Sequence, residues 1–402
     1  MIRIKLSEEI KKLHWEWYEY YLNNKDIPLK HNLPDGKKKV LSFLKDALGW
    51  DEALLKEIVL AEPAKLHSLA NKDSEVFKHY NSIKVGKRYE IKKEKWDEKR
   101  VEKWTVEKIL KEYFGYDDFE KGGIQKKGGI QNEDVDENDC SNKIKWSAYT
   151  FTRMLNIDVC PYCGRQYVFT ISDGNGRPQI DHYYPQSEYP FLSCSLYNFI
   201  PSCPQCNHQK GDVLNKYATK TERKNHDEYD YDQDGRAFVP YPYEDAFESK
   251  NDDGVIEKDA WFSVLYGDVK DDISLEDSVC VKIKHKKNLP CDKERKIKNA
   301  IEAFHLNELY SCQEIELNDL FARYRHYCKS KIDEITSLVL KAQLGRGYNG
   351  NLNSIVVKAY THRIKNIILG KPLNVRDKQY PLRKFKEDII EQLDITHKVM
   401  GK

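Results

Sequence analysis

Apolar and aromatic positions recur at intervals of three and four through most of the chain, the period of a helix with one buried stripe. In residues 6–23 the stripe is Ile10, Leu13, His14, Trp17, Tyr18 and Tyr21, with Ser7 placed to start the helix. Residues 40–61 carry Leu41, Phe43, Leu44, Leu48, Leu54, Leu55, Ile58 and Val59, with a break near Gly49. Residues 93–113, with Trp96, Val101, Trp104 and Leu110 among alternating charges, are expected as a third helix whose charges form a solvated face. A short amphipathic helix is expected over 146–157. The same period returns at 296–309, 317–340 and 355–369, and Pro381 is placed to open a last helix. Strands are expected at 167–171, 260–266 and 278–284, the last from the alternation of Val279, Val281 and Ile283.

Turn and polar segments divide these elements. Residues 115–141 are Gly-rich and acidic, repeat KGGIQ at 121–125 and 127–131, and are expected as a flexible loop. SDGNGRP, residues 172–178, reads as the turn of a hairpin whose second strand ends at Asp181 and His182. Residues 225–235 are polar, and PYPY at 240–243 is expected as a turn at a domain boundary. The expected class is α+β, with mostly helical flanks around a small central domain. The regions are a helical 1–145, a motif-bearing 146–225, and a mostly helical 226–402 with a few strands. A chain of 402 residues exceeds what one core organises, so several domains are expected.

Composition narrows the class. A hydrophobic share of 40% beside 33% charged residues describes a globular protein with a charged surface. No apolar run approaches the roughly 18 residues a spanning helix needs, and MIRIKLSEEIKK lacks the apolar core of a secretion signal, so the expected location is the cytoplasm. Lys and Arg number 67 against 65 Asp and Glu, so any nucleic-acid binding has to come from local patches.

In a reducing compartment ten Cys are unsuited to a disulfide framework, and close pairs are read first as metal ligands. CPYC (Cys160, Cys163) and CPQC (Cys203, Cys206) are two C-x-x-C knuckles. Two of them complete the tetrahedral thiolate shell that zinc prefers, and leave no position for water. The zinc is expected to be structural. A redox pair would need only one knuckle.

Between the knuckles lie Asp181, His182 and Asn198, and Asn207 follows Cys206 directly. An Asp-His pair alone is more often a capping residue and a surface or core imidazole. Asn207, in the first turns of an expected helix from about Pro204 through Lys210, would add an amide oxygen to the Asp181 carboxylate. These are hard donors suited to magnesium or manganese.

The order C-x-x-C, Asp-His, Asn, C-x-x-C-Asn-x-x-Lys-Gly resembles the HNH endonuclease family over residues 157–213. The resemblance implies a ββα-metal fold with a four-Cys zinc, His182 as general base, and Asn198 as the residue orienting that base or its loop. It also implies Asp181 and Asn207 as ligands of a catalytic magnesium or manganese ion. Such an enzyme hydrolyses phosphodiesters, with DNA favoured over RNA, to a 5′ phosphate and a 3′ hydroxyl. Residues 181–212 also resemble HNH proteins of bacterial anti-phage defence loci, including the nuclease partner of an ATPase in Septu-type systems, which implies an ATPase partner. The rival reading is a zinc-stabilised module that binds nucleic acid or protein without cutting it.

Other residues stay open between two roles. Lys210 either approaches a phosphate or is a solvated helix residue. His208 is expected to point away from the site, and Tyr183, Tyr184 and Tyr189 to pack the small domain rather than stack on bases. The basic run 282–298 either follows a phosphate backbone or is a solvated loop.

Overall fold

The computed structural model describes residues 2–29, 37–95, 98–121, 146–171, 176–211, 239–244, 247–250, 256–265, 280–327, 329–344, 357, 359, 361–364 and 381–400. Helices and small antiparallel strand pairs together make it α+β. Residues 1–256 with 290–304 form one compact unit, and 257–289 with 305–402 a second. The helical region 1–145 and the motif region 146–225 therefore share a unit.

Unit one opens with α1 (Glu8–Asn24), where the Ser7 hydroxyl accepts the Ile10 N–H and the buried face is Ile10, His14, Trp15, Trp17, Tyr18, Tyr21 and Leu22. α2 (Val40–Leu48) and α3 (Glu52–Val59) are separated at Gly49, as the pattern implies. α4 (Pro63–Ala70) and α5 (Glu75–Ile83) follow. Most of the third expected helix is instead an antiparallel hairpin, β1 (Arg88–Lys95) and β2 (Glu98–Thr105), before α6 (Val106–Tyr113). Its register sets Tyr89 opposite Trp104 and Glu90 opposite Lys103, the aromatic and opposite-charge pairs that stabilise a ladder. The alternating charges thus carried period two, which a count of the four apolar residues alone passes over.

Residues 115–121 are not loop. α7 (Tyr116–Glu120) buries Phe119 completely, and Gly115 adopts φ 110 where a Cβ would meet the Tyr18 ring at 3.2 Å. Residues 122–145 lie outside the described set, as do 225–235 and Asp212. The short helix expected over 146–157 is α8 (Ala148–Met154), capped by Ser147, whose hydroxyl accepts the Thr150 N–H.

The expected hairpin takes another partner. β3 (Gln179–His182) pairs with β4 (Phe199–Ser202), Asp181 opposite Ile200 and His182 opposite Phe199. Residues 167–171 make one isolated bridge, Tyr167 to Val159, and leave Tyr167, Phe169 and Ile171 more than half exposed. β4 is buried at all four positions, so pairing there covers apolar surface that pairing with 167–171 would leave wet. α9 (Pro204–Lys210) follows β4, and α10 (Cys291–Ala303) ends the unit with Phe304 stacked on Tyr162 at 4.6 Å. PYPY is no boundary. The Tyr241 and Tyr243 hydroxyls donate to the Tyr197 and Phe199 carbonyls, and the Tyr183 hydroxyl to the Val239 carbonyl.

The chain between β3 and β4 is buried and held by the N-terminal helices. His14 of α1 bonds the Cys194 carbonyl, the Ser195 hydroxyl bonds the Ile58 carbonyl of α3, and His67 of α4 bonds the Tyr184 hydroxyl. Phe77 and Tyr80 of α5 pack on Phe191.

Unit two is built on β5 (Ala260–Leu265) and β6 (Cys280–His285), close to both expected strands. Among its described residues the helices include α11 (Leu306–Ser311), α12 (Glu314–His326), α13 (Lys329–Leu344) and α14 (Arg383–Met400), so the stripe 317–340 is broken and the last helix starts two residues after Pro381, while most of the expected helix 355–369 lies outside the described residues. Side chains finish the strand edges. Gln392 of α14 accepts the Val264 N–H and donates to its carbonyl, each at 3.0 Å, and Asn307 accepts the Ile283 N–H. No described helix is long and apolar enough to cross a membrane.

The basic run is divided between β6 and α10, and much of its charge is matched locally: Lys286 by Glu257, Arg295 and Lys296 by Asp292, Lys298 by Glu294.

His14 is enclosed, its Nε2 donating to the Cys194 carbonyl at 2.9 Å and its Nδ1 accepting from the Trp146 indole at 3.0 Å. Burial pushes its pKa from 6.5 down to about 4, against the pull of that carbonyl. A depressed histidine adds stability that is full above pH 6.5 and is lost as pH falls toward 4. Lowering pH from 7.5 to 5 should therefore cost about 2 kcal/mol through this group. Urea unfolding at both pH values should show that much less acid destabilisation in His14→Gln than in wild type; equal losses would refute it.

Candidate metal centre and active site

The two knuckles converge. The sulfurs of Cys160, Cys163, Cys203 and Cys206 lie within 4.8 Å of one another, all buried, and could hold a metal ion such as zinc. Each knuckle turns tightly for a local reason. Gly164 takes φ 64 just after CPYC, bringing its N–H to the Cys160 carbonyl, while Cys203 caps α9 and accepts the Cys206 N–H. Backbone N–H groups of Arg165 and Cys203 point at the Cys163 and Cys160 sulfurs at 3.4 Å, the contacts a thiolate uses. Burial pushes the Cys160 thiol up, while hydrogen bonding from Cys160 holds Cys163 down. Four anionic sulfurs this close need a cation among them, and the donor set fits zinc.

Asp181 and His182 end β3 and face opposite sides of it, as alternation requires. On one side the Asp181 carboxylate, 5% exposed, accepts the Tyr162 hydroxyl at 2.5 Å and the Lys210 ammonium at 3.0 and 2.9 Å. Lys210 also donates to the His182 carbonyl. Lys210 is not a solvated helix residue, because it is 3% exposed and held in an ion pair with Asp181. The aliphatic stem lets a helix residue reach inward, and the buried carboxylate supplies the charge that makes this favourable.

On the other side His182 lies edge-on to Tyr116 at 4.3 Å and Phe199 at 5.6 Å, with Nε2 2.8 Å from the Ser193 carbonyl. A carbonyl only accepts, so Nε2 carries the proton and the neutral ring keeps Nδ1 as its acceptor. Burial lowers its pKa to about 4, with Lys210 adding to the effect and the Ser193 carbonyl opposing it.

Asn198 is fully buried and ties the loop together. Its Oδ1 accepts the Tyr184 N–H at 2.7 Å and its Nδ2 donates to the Tyr184 and Leu192 carbonyls at 3.1 and 2.9 Å. Asn207 sits one turn before Lys210 on α9 and donates to the Gln179 side chain at 2.8 Å, just as Lys210 reaches Asp181 two residues further along β3. α9 thus lies along the Gln179 and Asp181 face, and the Asn207 Oδ1 has no hydrogen-bond partner among the described residues. His208 is exposed, and Tyr183, Tyr184 and Tyr189 are buried in ring contacts.

Asn207 also borders a groove of about 480 Å³ along β3, shared with Tyr116, Glu120, Tyr149, Arg177 and Gln179. Sequence reasoning missed Tyr162, Tyr116, Gln179 and Arg177. Only Lys210 left a legible sign, the three-residue spacing from Asn207 that puts both on one helix face.

No family model, no curated protein and no solved structure gives a significant match to the chain.

Purified protein should carry one zinc per chain by elemental analysis. Cys203→Ser should lose the metal and melt at a lower temperature; full stability without metal would exclude a structural role. Removing one partner of a buried ion pair strands the other, so Lys210→Met should cost about 3 kcal/mol in urea unfolding, with most of it recovered in Asp181→Asn/Lys210→Met. A loss under about 1 kcal/mol would show that Asp181 is not buried with this partner.

Proposed function

We propose that this chain is a metal-dependent nuclease of the HNH type, hydrolysing phosphodiester bonds with DNA favoured over RNA, and that it acts as an effector of bacterial anti-phage defence with an ATPase partner. The supporting observation is the order strand, strand, helix, with Asp181 and His182 ending the first strand and Asn207 on the helix. A strand, strand, helix order is what the family resemblance implies, and a zinc-stabilised binding module has no need of Asp181, His182, Asn198 and Asn207 together.

A magnesium or manganese ion would be held by Asp181 and Asn207, both hard oxygen donors. A carboxylate and an amide oxygen are the donor types such an ion takes, and to reach Asp181 it would have to share the carboxylate with the Lys210 ammonium or displace it. When bound, the ion supplies charge neutralisation for the phosphate and the leaving 3′ oxygen. The protein's own contribution is proton handling and order. The Ser193 carbonyl fixes the His182 tautomer, so Nδ1 is the atom that takes a proton from the attacking water. Burial keeps the ring neutral at pH 7 and makes it a weaker base than a free imidazole. Tyr116 and Phe199 hold the ring's orientation, and Asn198 holds the loop that carries Ser193. The four-Cys zinc supports β3, β4 and α9 and takes no part in the chemistry.

The grip of Lys210 on Asp181 favours a second reading, a zinc-stabilised binding module without catalysis. Plasmid nicking with added magnesium or manganese separates the two. Wild type should nick and His182→Ala should be slower by about 100-fold or more, while equal rates, or no cleavage by wild type even with its associated ATPase, would leave the binding module.

A further inference from the structure

We propose that the groove beside β3 is a subsite for one unpaired nucleotide of the strand to be cut, with Arg177 as its phosphate contact. The proposal rests on the nuclease reading above and names the form of nucleic acid that site takes.

The groove has the volume of a small-molecule site, about 480 Å³, and its wall is mixed: the Tyr116 and Tyr149 rings, the Arg177 guanidinium, and the amides of Gln179 and Asn207. It is lined at the start of β3 by Gln179 and Ile180, and no β4 residue borders it. A base still paired in a duplex is stacked and cannot enter a concave site of this size, whereas an unpaired one can.

Arg177 gives the groove its ligand chemistry. Its side chain is 12% exposed and lies over the Tyr149 ring at 5.4 Å. Nη1 donates to the Pro178 carbonyl at 2.8 Å and Nη2 to Glu120 at 2.9 Å, but the buried Nε–H has no partner among the described residues. A buried N–H left unpaired is unfavourable, and an incoming acceptor would satisfy it. Phosphate oxygens suit it, because a guanidinium offers Nε–H and Nη–H side by side to two of them. Glu120 is 43% exposed, so it can swing into water and release Nη2 when a phosphate arrives. Tyr116 and Tyr149 then provide ring surface for the attached base.

Position ties the groove to the proposed chemistry. Gln179 precedes Asp181 by two residues, Tyr116 touches His182, and Asn207 is shared between the groove and the proposed metal site. A nucleotide seated here is a neighbour of the one presented to His182.

The test is binding without cleavage. A fluorescein-labelled, phosphorothioate-linked short single-stranded DNA, and a blunt duplex of the same sequence, are titrated with the full zinc-containing chain without added divalent metal, and anisotropy is read across a salt series. Wild type should prefer the single strand. Arg177→Gln should weaken that binding about tenfold and lower its salt slope by about one, while Arg383→Gln in unit two leaves it unchanged. Arg177→Lys keeps the charge opposite Glu120 but loses the planar fork, and should also bind more weakly. It carries the test should Arg177→Gln lose zinc or melt early. Wild-type affinity in both Arg177 variants, a loss seen only with the duplex, or no single-strand binding by wild type would each overturn the proposal. Because no cleavage is read, single-strand binding through Arg177 by a protein that never cuts would keep the subsite and refute the nuclease. Cutting by a wild type whose Arg177 variants bind normally would do the reverse.

Discussion

A chain segment buried between two strands has to find a partner for every backbone N–H and C=O it takes out of water, and this constraint shapes unit one. Residues 183–198 leave β3 and return in β4 almost wholly buried, without forming long regular structure of their own. Their carbonyls are met by side chains from several directions: Leu192 and Tyr184 by Asn198, Ser193 by His182, Cys194 by His14, and Tyr197 by Tyr241. The N-terminal helices are therefore part of the same structure as the motif. They supply His14, the Ile58 carbonyl and the ring packing without which the loop could not stay dry.

The same bonds fix the candidate catalytic groups. His182 satisfies a loop carbonyl and is thereby held in one tautomer, so one hydrogen bond is both structural support and chemical preparation. Asp181, on the other face of β3, has its charge matched by Lys210 and its second contact from Tyr162, whose ring is in turn stacked on Phe304. A carboxylate this buried requires positive charge beside it. In the resting protein the ammonium of α9 meets that need, and a divalent ion at Asp181 has to share the carboxylate with it or displace it.

How much of this the sequence determined depends on how local the cause is. The Cys knuckles and the helix start at Ser7 are readable, because each rests on residues a few positions apart. The helix expected over 93–113 holds from Val106 onward, while residues 93–105 belong to the hairpin, whose period-two charges are present in the sequence. Residues 115–121 were misread as loop because Phe119, the residue that buries that turn, was given less weight than the surrounding polar composition.

What only the tertiary structure decided are pairings between distant segments, where the winner is set by which arrangement buries more apolar surface while leaving fewer polar groups unpaired. β3 takes β4 rather than 167–171, and β4 is buried on both faces while Tyr167, Phe169 and Ile171 stay exposed. PYPY lies against the loop rather than at a boundary because two of its tyrosine hydroxyls reach carbonyls that water cannot. The sequence by itself placed four Cys in two knuckles that could hold a metal ion and marked Asp181, His182, Asn198 and Asn207 as candidates. The fold decided that Asp181 and His182 face apart, that Lys210 points inward, and that Arg177 lines a groove, since burial and charge compensation are properties of the packed molecule and not of any one segment.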